Sequence, residues 1–348
     1  MERRPLGRTG LDVPVLCLGT MMYGDQMGRE AAFAQMDAAF ERGIDFFDTA
    51  EMYTIPPKRE TWGDSERIVG AWMKERGVRE KIVLATKVVG RSRNFPWIRD
   101  EESLRLTPEQ IKAACELNLQ RLQTDYIDLY QLHWSDRLVP SFGGELRGYR
   151  HYKADYTPFE DILGALDDLV TAGKVRHIGL SNETPWGVMR YLHEAEKRGR
   201  PRVASVQNCY NLLNRLYEYG LAEVGMNEDV GLLAYSPMGQ GVLSGKYLGG
   251  EKPKGSRGEM FGRLGRYETP GADDAIRAYV QIAQDFGLDP SAMAMQFVTT
   301  RPWVTTNMFG ASNMEQLDLV FSSLEIEWTK ELDDAVAAVH MRAPNVCM

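Results

Sequence analysis

The chain has 348 residues, 43% of them hydrophobic and 26% charged, so it is long enough to bury a large core. Its 49 acidic residues outnumber its 41 basic ones, for a net charge of −8, and no basic cluster is interleaved with aromatic residues, which argues against nucleic acid as a partner. Its four cysteines form no CxxC pair, are typical of isolated reduced thiols and predict a cytoplasmic location.

The first residues combine a basic start with an apolar run, MERRPLGRTG followed by VPVLCLGTMM, as a signal peptide does. Pro14 and Gly19 interrupt the run and no A-x-A-like cleavage site follows, so we interpret Gly7 to Gly10 as the turn of a β-hairpin. No stretch approaches the roughly 18 apolar residues of a membrane span, and we expect no membrane partner.

Short apolar runs rich in β-forming residues then recur along the chain, each followed by a segment with helical periodicity. The predicted strands cover residues 15–20, 44–50, 81–88, 126–133, 175–182, 205–211, 231–237 and 306–311. This alternation predicts a parallel sheet that closes into a (β/α)8 TIM barrel, with an open doubly wound sheet as the competing fold. No linker marks a domain boundary, so residues 1–348 are expected to form a single domain.

Capping signals and loop lengths add detail to this prediction. Thr107, Thr157 and Asn313 each precede a Glu or Gln at the third helical position, which predicts three helix starts. The loops that follow strands are long, whereas the loops that precede them are short. The long ones cover residues 51–66, 89–106, 135–156 and 239–271. Long loops at the carboxyl ends of barrel strands are typical of an active site.

Four ionisable residues fall at these strand ends. Asp48 ends the second predicted strand and Tyr53 follows it, while Lys87 and His133 close the third and fourth strands. Singly, each could be a helix cap, a solvated charge or a core histidine. Together they form a plausible acid: an adjacent ammonium lowers the pKa of a tyrosine, a carboxylate keeps that ammonium charged, and a neutral imidazole orients a substrate oxygen. None of them can supply a hydride, so the chemistry requires a cofactor.

The sequence resembles the aldo-keto reductases, and specifically the Tas-like branch related to potassium-channel β subunits. The matching stretches are LGRTGLDVPVLCLGTM, GIDFFDTAEMY, LATK, RLQTDYIDLYQLHW, GKVRHIGLSNET, SVQNCYNLLNR, LLAYSPMGQGVLSGKYL and FGASNMEQL. The resemblance implies that Asp48, Tyr53, Lys87 and His133 form a catalytic tetrad. It also implies NADPH-dependent reduction of an aldehyde or ketone, with Tyr53 as the general acid.

A Rossmann motif is disfavoured for the cofactor site, because no GxGxxG opens a helix near the amino terminus, and GQGVLSGK at 239–246 fits neither GxGxxG nor GxxxxGK(S/T). The resemblance instead implies NADP(H) lying across the barrel mouth. The implied cofactor residues are Thr20, Met21, Ser181, Asn182, Gln207, Tyr235, Ser236, Pro237, Met238, Gly239, Gln240, Lys246, Arg257, Ser312 and Gln316. Lys246 and Arg257 favour NADP(H) over NAD(H), since a 2′-phosphate prefers a cationic partner.

Two departures from the family pattern affect the cofactor site. Leu319 and Val320 stand where the family usually places polar residues that reach the adenine, and Gln316 replaces the arginine of many members. Cofactor preference is therefore less well specified than cofactor class.

For the substrate, the resemblance implies contacts with Met21, Tyr23 and Trp134, and loop aromatics such as Trp97 and Tyr149 either line the pocket or lie on the surface. An NADPH-bound sensor or scaffold subunit with little turnover is the alternative function. A metal-dependent hydrolase ranks last, because too few histidines lie at strand ends, and no metal is predicted. The sequence leaves the natural carbonyl and the oligomeric state open.

Overall fold

The computed structural model describes residues 1–99, 102–142, 144, 148–262 and 264–348. Its strands are β1 Arg3–Pro5, β2 Asp12–Pro14, β3 Leu16–Gly19, β4 Phe46–Asp48, β5 Val83–Val88, β6 Ile127–Leu132, β7 Val175–Ser181, β8 Val203–Cys209, β9 Gly231–Tyr235 and β10 Val304–Phe309. Strands β3 to β10 are parallel neighbours in a closed barrel, and β1 pairs with β2 in a separate antiparallel hairpin. The predicted TIM barrel with an amino-terminal hairpin is confirmed, and the open sheet is excluded.

Helices follow the barrel strands as the sequence pattern predicts. They are α1 Arg29–Glu41, α2 Asp64–Arg76, α3 Pro108–Leu122, α4 Phe159–Thr171, α5 Pro185–Arg198, α6 Leu221–Glu228, α7 Arg257–Phe261, α8 Ala272–Asp285, α9 Pro290–Thr299, α10 Met314–Ser322 and α11 Lys330–Arg342. Within the part of the chain that the structure describes, every helix is too short or too polar to cross a bilayer.

Successive strand residues point alternately into the barrel and out toward the helices, which determines where the polar strand ends lie. In β4, Phe47 packs in the outer core between barrel and helices, whereas Phe46 packs in the barrel interior. Asp48 follows on the interior side and is 1% exposed. The hydrophobic residues of GIDFFDTAEMY are therefore core residues, and the alternation turns the carboxylate into the barrel mouth.

The hairpin closes the amino-terminal end of the barrel. Leu6 and Val13 join the same buried cluster as the interior residue Phe46. Gly7 has φ +55°, and a Cβ there would lie 2.5 Å from the carbonyl oxygen of Ala204, so only glycine fits. With this end filled by hydrophobic residues, the carboxyl ends of the strands are the open face.

Two of the three predicted helix starts are confirmed and one is wrong. The side chains of Thr107 and Asn313 accept hydrogen bonds from the third helical amide of α3 and α10. Helix α4 begins instead with Pro158 at the N-cap, and the amide of Thr157, which the predicted capping box would pair with Glu160, donates to the Asp136 carboxylate at 2.7 Å. A tertiary contact thus overrides the local capping signal.

Candidate active site

A buried ion pair lies at the centre of the barrel mouth. The Lys87 ammonium donates to Oδ2 of Asp48 at 2.5 Å and to the backbone carbonyl of Thr49 at 2.8 Å. Their side chains are 0% and 1% exposed. Burial disfavours the ammonium, yet Asp48 and Tyr53 outweigh it and hold the pKa of Lys87 above its usual value. Lys87 is therefore a charged group at neutral pH, as the sequence predicts.

The second oxygen of Asp48 is held by two glutamine amides. Nε2 of Gln131 and Nε2 of Gln207 each donate to Oδ1 at 2.9 Å, and Gln207 also donates to Oε1 of Gln131. These bonds satisfy a carboxylate that has no access to water. Sequence reasoning missed Gln131, although a polar residue between Leu129 and His133 on the inward face of β6 is the signal that could have identified it.

Tyr53 and His133 stand beside the ion pair. The Tyr53 hydroxyl oxygen is 3.5 Å from Nζ of Lys87, and its ring meets the imidazole of His133 edge to face with centroids 5.7 Å apart. Both residues line the cavity described below. The structure thus brings together all four ionisable residues that the sequence singles out.

The pKa of Tyr53 differs from the expectation. Burial raises it above the usual value, and the nearby Lys87 ammonium, which acts in the opposite direction, offsets only part of that rise. Lys87 therefore favours the phenolate, as predicted, without a net lowering of the pKa. The hydroxyl keeps its proton at neutral pH and can act as a donor.

His133 is a neutral imidazole. Burial, with a smaller contribution from Lys87, lowers its pKa well below the usual value. Its Nδ1 is buried without a hydrogen-bond partner among the described residues. The backbone carbonyl of His133 accepts from the side-chain amide of Asn182 at 2.8 Å, which connects β6 to the end of β7. This imidazole can donate or accept a hydrogen bond but carries no charge.

The depressed pKa of His133 predicts a pH-dependent stability. Below about pH 6.5 the unfolded chain gains a proton at this residue and the folded chain does not. The contribution of His133 to the free energy of unfolding is therefore complete above that pH, and below it the free energy of unfolding decreases by up to about 1.4 kcal/mol per pH unit. Urea unfolding at about pH 7.5 and about pH 5.5 measures the decrease.

Replacing the histidine isolates its share of this effect. In His133→Gln the decrease in unfolding free energy between the two pH values is expected to be smaller than in the wild type. His151→Gln, at an exposed position, serves as the control and is expected to behave as the wild type does. An identical pH dependence in His133→Gln and the wild type would contradict the assignment.

A cavity of about 800 Å³ opens above these four residues. Of the predicted cofactor and substrate residues, it is lined by Met21, Trp134, Ser181, Asn182, Gln207, Tyr235, Ser236, Pro237, Met238, Gln240, Lys246, Arg257, Ser312 and Gln316. Asn182, Ser236 and Gln240 have φ of 50°, 58° and 59°, a conformation that costs energy in residues other than glycine and concentrates at functional sites. The size and lining are those of a cofactor or ligand site.

Three of the predicted residues are not part of the cavity surface. Tyr23 is fully buried in the outer core, and its hydroxyl donates to Gln35 at 2.7 Å, which corrects the predicted substrate contact. Thr20 is also fully buried and donates to the backbone carbonyl of Asp48 at 3.0 Å. Gly239 lies between the lining residues Met238 and Gln240, and a Cβ at this position would lie 3.0 Å from the ring of Tyr267.

The aromatic wall beside His133 contains Trp134, as expected, and two loop aromatics that were not expected. Phe95, Trp134 and Phe142 line the cavity, whereas Trp97 packs against the buried cluster around Ile98 outside the lining and Tyr149 is 77% exposed. The pocket-facing role of Phe95 and Phe142 depends on the conformation of the long loops, which local sequence patterns do not specify.

Three cations that line the cavity, Lys246, Arg257 and Arg266, lack carboxylate partners among the described residues. Burial, and repulsion from Arg266, lower the pKa of Arg257, and Lys246 lies in the same lining. Arg266 was missed by the sequence analysis; its guanidinium lies 5.5 Å from the ring centroid of Tyr235. Clustered cations without acidic partners suit an anionic ligand, so these residues fit the phosphates of NADP(H).

The residues that the resemblance assigns to the adenosine end are partly polar and partly apolar. The side-chain oxygen of Gln316 accepts from the amide of Ser312 at 2.9 Å, which closes the loop before α10. Leu319 and Val320 line the same cavity and offer only apolar contacts. Metal ligation has no comparable basis: the described residues contain no group of three or more His, Cys, Asp or Glu side chains arranged to hold an ion.

A closed TIM barrel with a buried Lys–Asp pair, a tyrosine and a neutral histidine at its mouth defines a barrel oxidoreductase site. Residues 15–339 match the model of the aldo/keto reductase family. The chain is 45% identical to Protein tas of Escherichia coli over 98% of both chains. It is also 33% identical to the uncharacterized oxidoreductase YrpG of Bacillus subtilis, over 95% of this chain and 94% of that protein.

A more distant relative is the L-glyceraldehyde 3-phosphate reductase of Escherichia coli, 28% identical over 94% of this chain and 90% of that protein. The family match covers nearly the whole barrel and the site at its mouth. The chain therefore belongs to the aldo/keto reductase family and is an oxidoreductase of that family.

Proposed function

We propose that this protein reduces an aldehyde or ketone to the alcohol with NADPH, using Tyr53 as the general acid. The observation that carries the proposal is the position of the Tyr53 hydroxyl, which lies 3.5 Å from the Lys87 ammonium at a cavity that Lys246, Arg257 and Arg266 also line. The hydroxyl is suited to protonating a carbonyl oxygen and the three cations are suited to binding phosphates.

The four residues of the site have distinct roles in this proposal. Tyr53 donates its proton to the carbonyl oxygen, and the Lys87 ammonium stabilises the phenolate that remains. Asp48, held by Gln131 and Gln207, keeps the ammonium charged and in place. The neutral imidazole of His133 orients the substrate oxygen by a hydrogen bond. Bound NADPH would supply the hydride.

The proposal is tested by fluorescence titration with NADPH and NADH, followed by turnover on a panel of activated aldehydes. Binding of NADPH together with its consumption by an aldehyde supports a reductase. Binding without turnover on any aldehyde would contradict the proposal and favour the alternative, a cofactor-bound sensor or scaffold subunit. Failure to bind either nucleotide would contradict both functions.

Arg257 is expected to provide the preference for NADPH. Arg257→Ala should raise the Kd for NADPH by at least about tenfold and the Kd for NADH much less, because only NADPH carries the 2′-phosphate. The two dissociation constants are measured by titration at fixed ionic strength, with Lys254→Ala, an exposed cation of the same loop, as the control. An equal effect on both nucleotides would exclude the 2′-phosphate role.

A further inference from the structure

A second buried ion pair connects the loop that carries Tyr53 to the long loop after β5. Glu51 lies between Asp48 and Tyr53 in the chain, and Nη1 of Arg99 donates to its Oε1 at 2.6 Å. The side chains of Glu51 and Arg99 are 0% and 3% exposed. The proposed chemistry uses neither of them, so the pair requires another explanation.

Glu51 is attached to β5 independently of Arg99. Its backbone amide donates to the carbonyl of Lys87 at 3.1 Å, and its Oε1 accepts from the amide of Val89 at 2.5 Å. These bonds join the residues before Tyr53 to the strand end that carries Lys87. The bonds of Glu51 to β5 therefore hold Tyr53 in position relative to Lys87, and they do not involve Arg99.

Arg99, the other member of the ion pair, belongs to the loop that forms one wall of the cavity and binds a second residue near it. Its Nη2 lies 3.3 Å from Oε1 of Gln110, which also accepts from the amide of Arg105. Reciprocal backbone bonds between Ser92 and Leu104, at 3.0 and 2.8 Å, close the loop on itself. The wall segment, residues 91–95, contributes Arg91, Ser92, Asn94 and Phe95 to the cavity lining.

The pair is costly to maintain. Arg99 has φ +58°, an unfavourable conformation for a residue with a side chain. Oε2 of Glu51 and Nε of Arg99 are buried and have no hydrogen-bond partner among the described residues. Buried ion pairs are often no more stabilising than the apolar contacts that could replace them. Strain and desolvation at the wall of an active site are typical of a conformation retained for function.

We infer that the Glu51–Arg99 pair is a positioning device that holds the wall segment 91–95 against Tyr53 and so determines how a carbonyl substrate fits beside the acid. This inference rests on the proposed reductase function for its kinetic consequences, but the loop geometry on which it depends can be measured without any turnover. Arg99 and Glu51 are not cavity-lining residues, so the pair acts through the wall and not by contact with substrate or cofactor.

The kinetic test replaces Arg99 alone, because the bonds of Glu51 to β5 then keep Tyr53 in place. In Arg99→Met, the KM for 4-nitrobenzaldehyde is expected to rise at least about tenfold while kcat falls less than about threefold, since substrate fit is lost but the acid is not. The Kd for NADPH should change by less than about twofold. Arg99→Lys retains the charge and should restore much of the wild-type KM.

Hydrogen exchange provides the second readout. The amides of Ser92 and Leu104, which close the loop, are expected to exchange at least about tenfold faster in Arg99→Met, whereas the Val89 amide, bound to Glu51, stays protected. This pattern separates loosening of the wall from general destabilisation, which would expose all three amides. The measurement also decides the inference if the wild-type protein proves to bind NADPH without turning over aldehydes.

Glu102→Gln is the control, because Glu102 is an exposed charged residue of the same loop and lies outside the wall segment. It is expected to leave KM and the exchange of Ser92 and Leu104 unchanged. Unaltered KM and exchange in Arg99→Met would overturn the inference, and so would equal effects in Glu102→Gln. If Arg99→Met fails to fold, the same measurements on Arg99→Lys decide, with a wild-type exchange pattern and a smaller rise in KM expected.

Discussion

Tyr53→Phe is expected to lower kcat for aldehyde reduction by at least about 10²-fold, because it removes the hydroxyl that lies beside the buried ammonium. The phenyl ring keeps the contact with His133, so the cavity should retain its shape. The Kd for NADPH should change by less than about twofold, since the substitution leaves the cations of the cavity in place. Single-turnover kinetics at saturating NADPH measures the effect on the chemical step.

The control for this prediction is Tyr219→Phe, which removes the hydroxyl of a tyrosine that is 62% exposed and does not line the cavity. It should leave kcat and the Kd for NADPH at wild-type values. Turnover by Tyr53→Phe at the wild-type rate would show that another group donates the proton. A parallel loss of NADPH binding would instead show that the substitution disturbs the cavity as a whole.

Lys87→Met is expected to impair both catalysis and stability. It leaves the Asp48 carboxylate buried with only the two glutamine amides, and breaking a buried pair in this way costs about 3–5 kcal/mol of unfolding free energy. The loss of the ammonium also removes the charge that stabilises the Tyr53 phenolate, so kcat should fall by at least about 10²-fold. Urea denaturation and steady-state kinetics measure the two effects.

A double variant distinguishes a lost charge from a lost contact. Asp48→Asn combined with Lys87→Met removes the uncompensated carboxylate and should recover part of the lost stability, while activity stays low. Lys112→Met removes an exposed pair with Asp168 and should change the unfolding free energy by less than about 1 kcal/mol. No recovery in the double variant would mean that the cost of Lys87→Met comes from packing and not from the buried charge.

Much of the architecture was predictable because it is encoded by local periodicity. The run through Phe46, Phe47 and Asp48 alternates between the interior and the outer core as the period of a strand requires. Thr107 and Asn313 cap helices where the sequence places them. Thr157 does not, and its amide, which a capping box would pair with Glu160, is bound across the loop by Asp136, which also pairs with Arg105. A local capping pattern does not predict the helix start where a charged residue distant in the sequence binds the same backbone group.

The sequence predicted most residues of the candidate site, but it did not predict the pKa of Tyr53. The four ionisable residues and most of the predicted cofactor residues surround one cavity, whereas Tyr23 turned into the core to reach Gln35. The pKa of Tyr53 depends on burial as well as on Lys87, and burial has the larger effect. No spacing along a chain reports how completely water is excluded from a side chain.

By itself, the sequence determined the barrel, the face on which the site lies and the residue types at the strand ends, because these follow from periods of two and of about 3.6 residues. Only the tertiary structure decided that Gln131 and Gln207 complete the shell of Asp48, that Arg266 joins Arg257, and that Arg99 reaches Glu51. These contacts join residues on different strands and loops, and such pairs are selected by packing and by the need to satisfy buried charge.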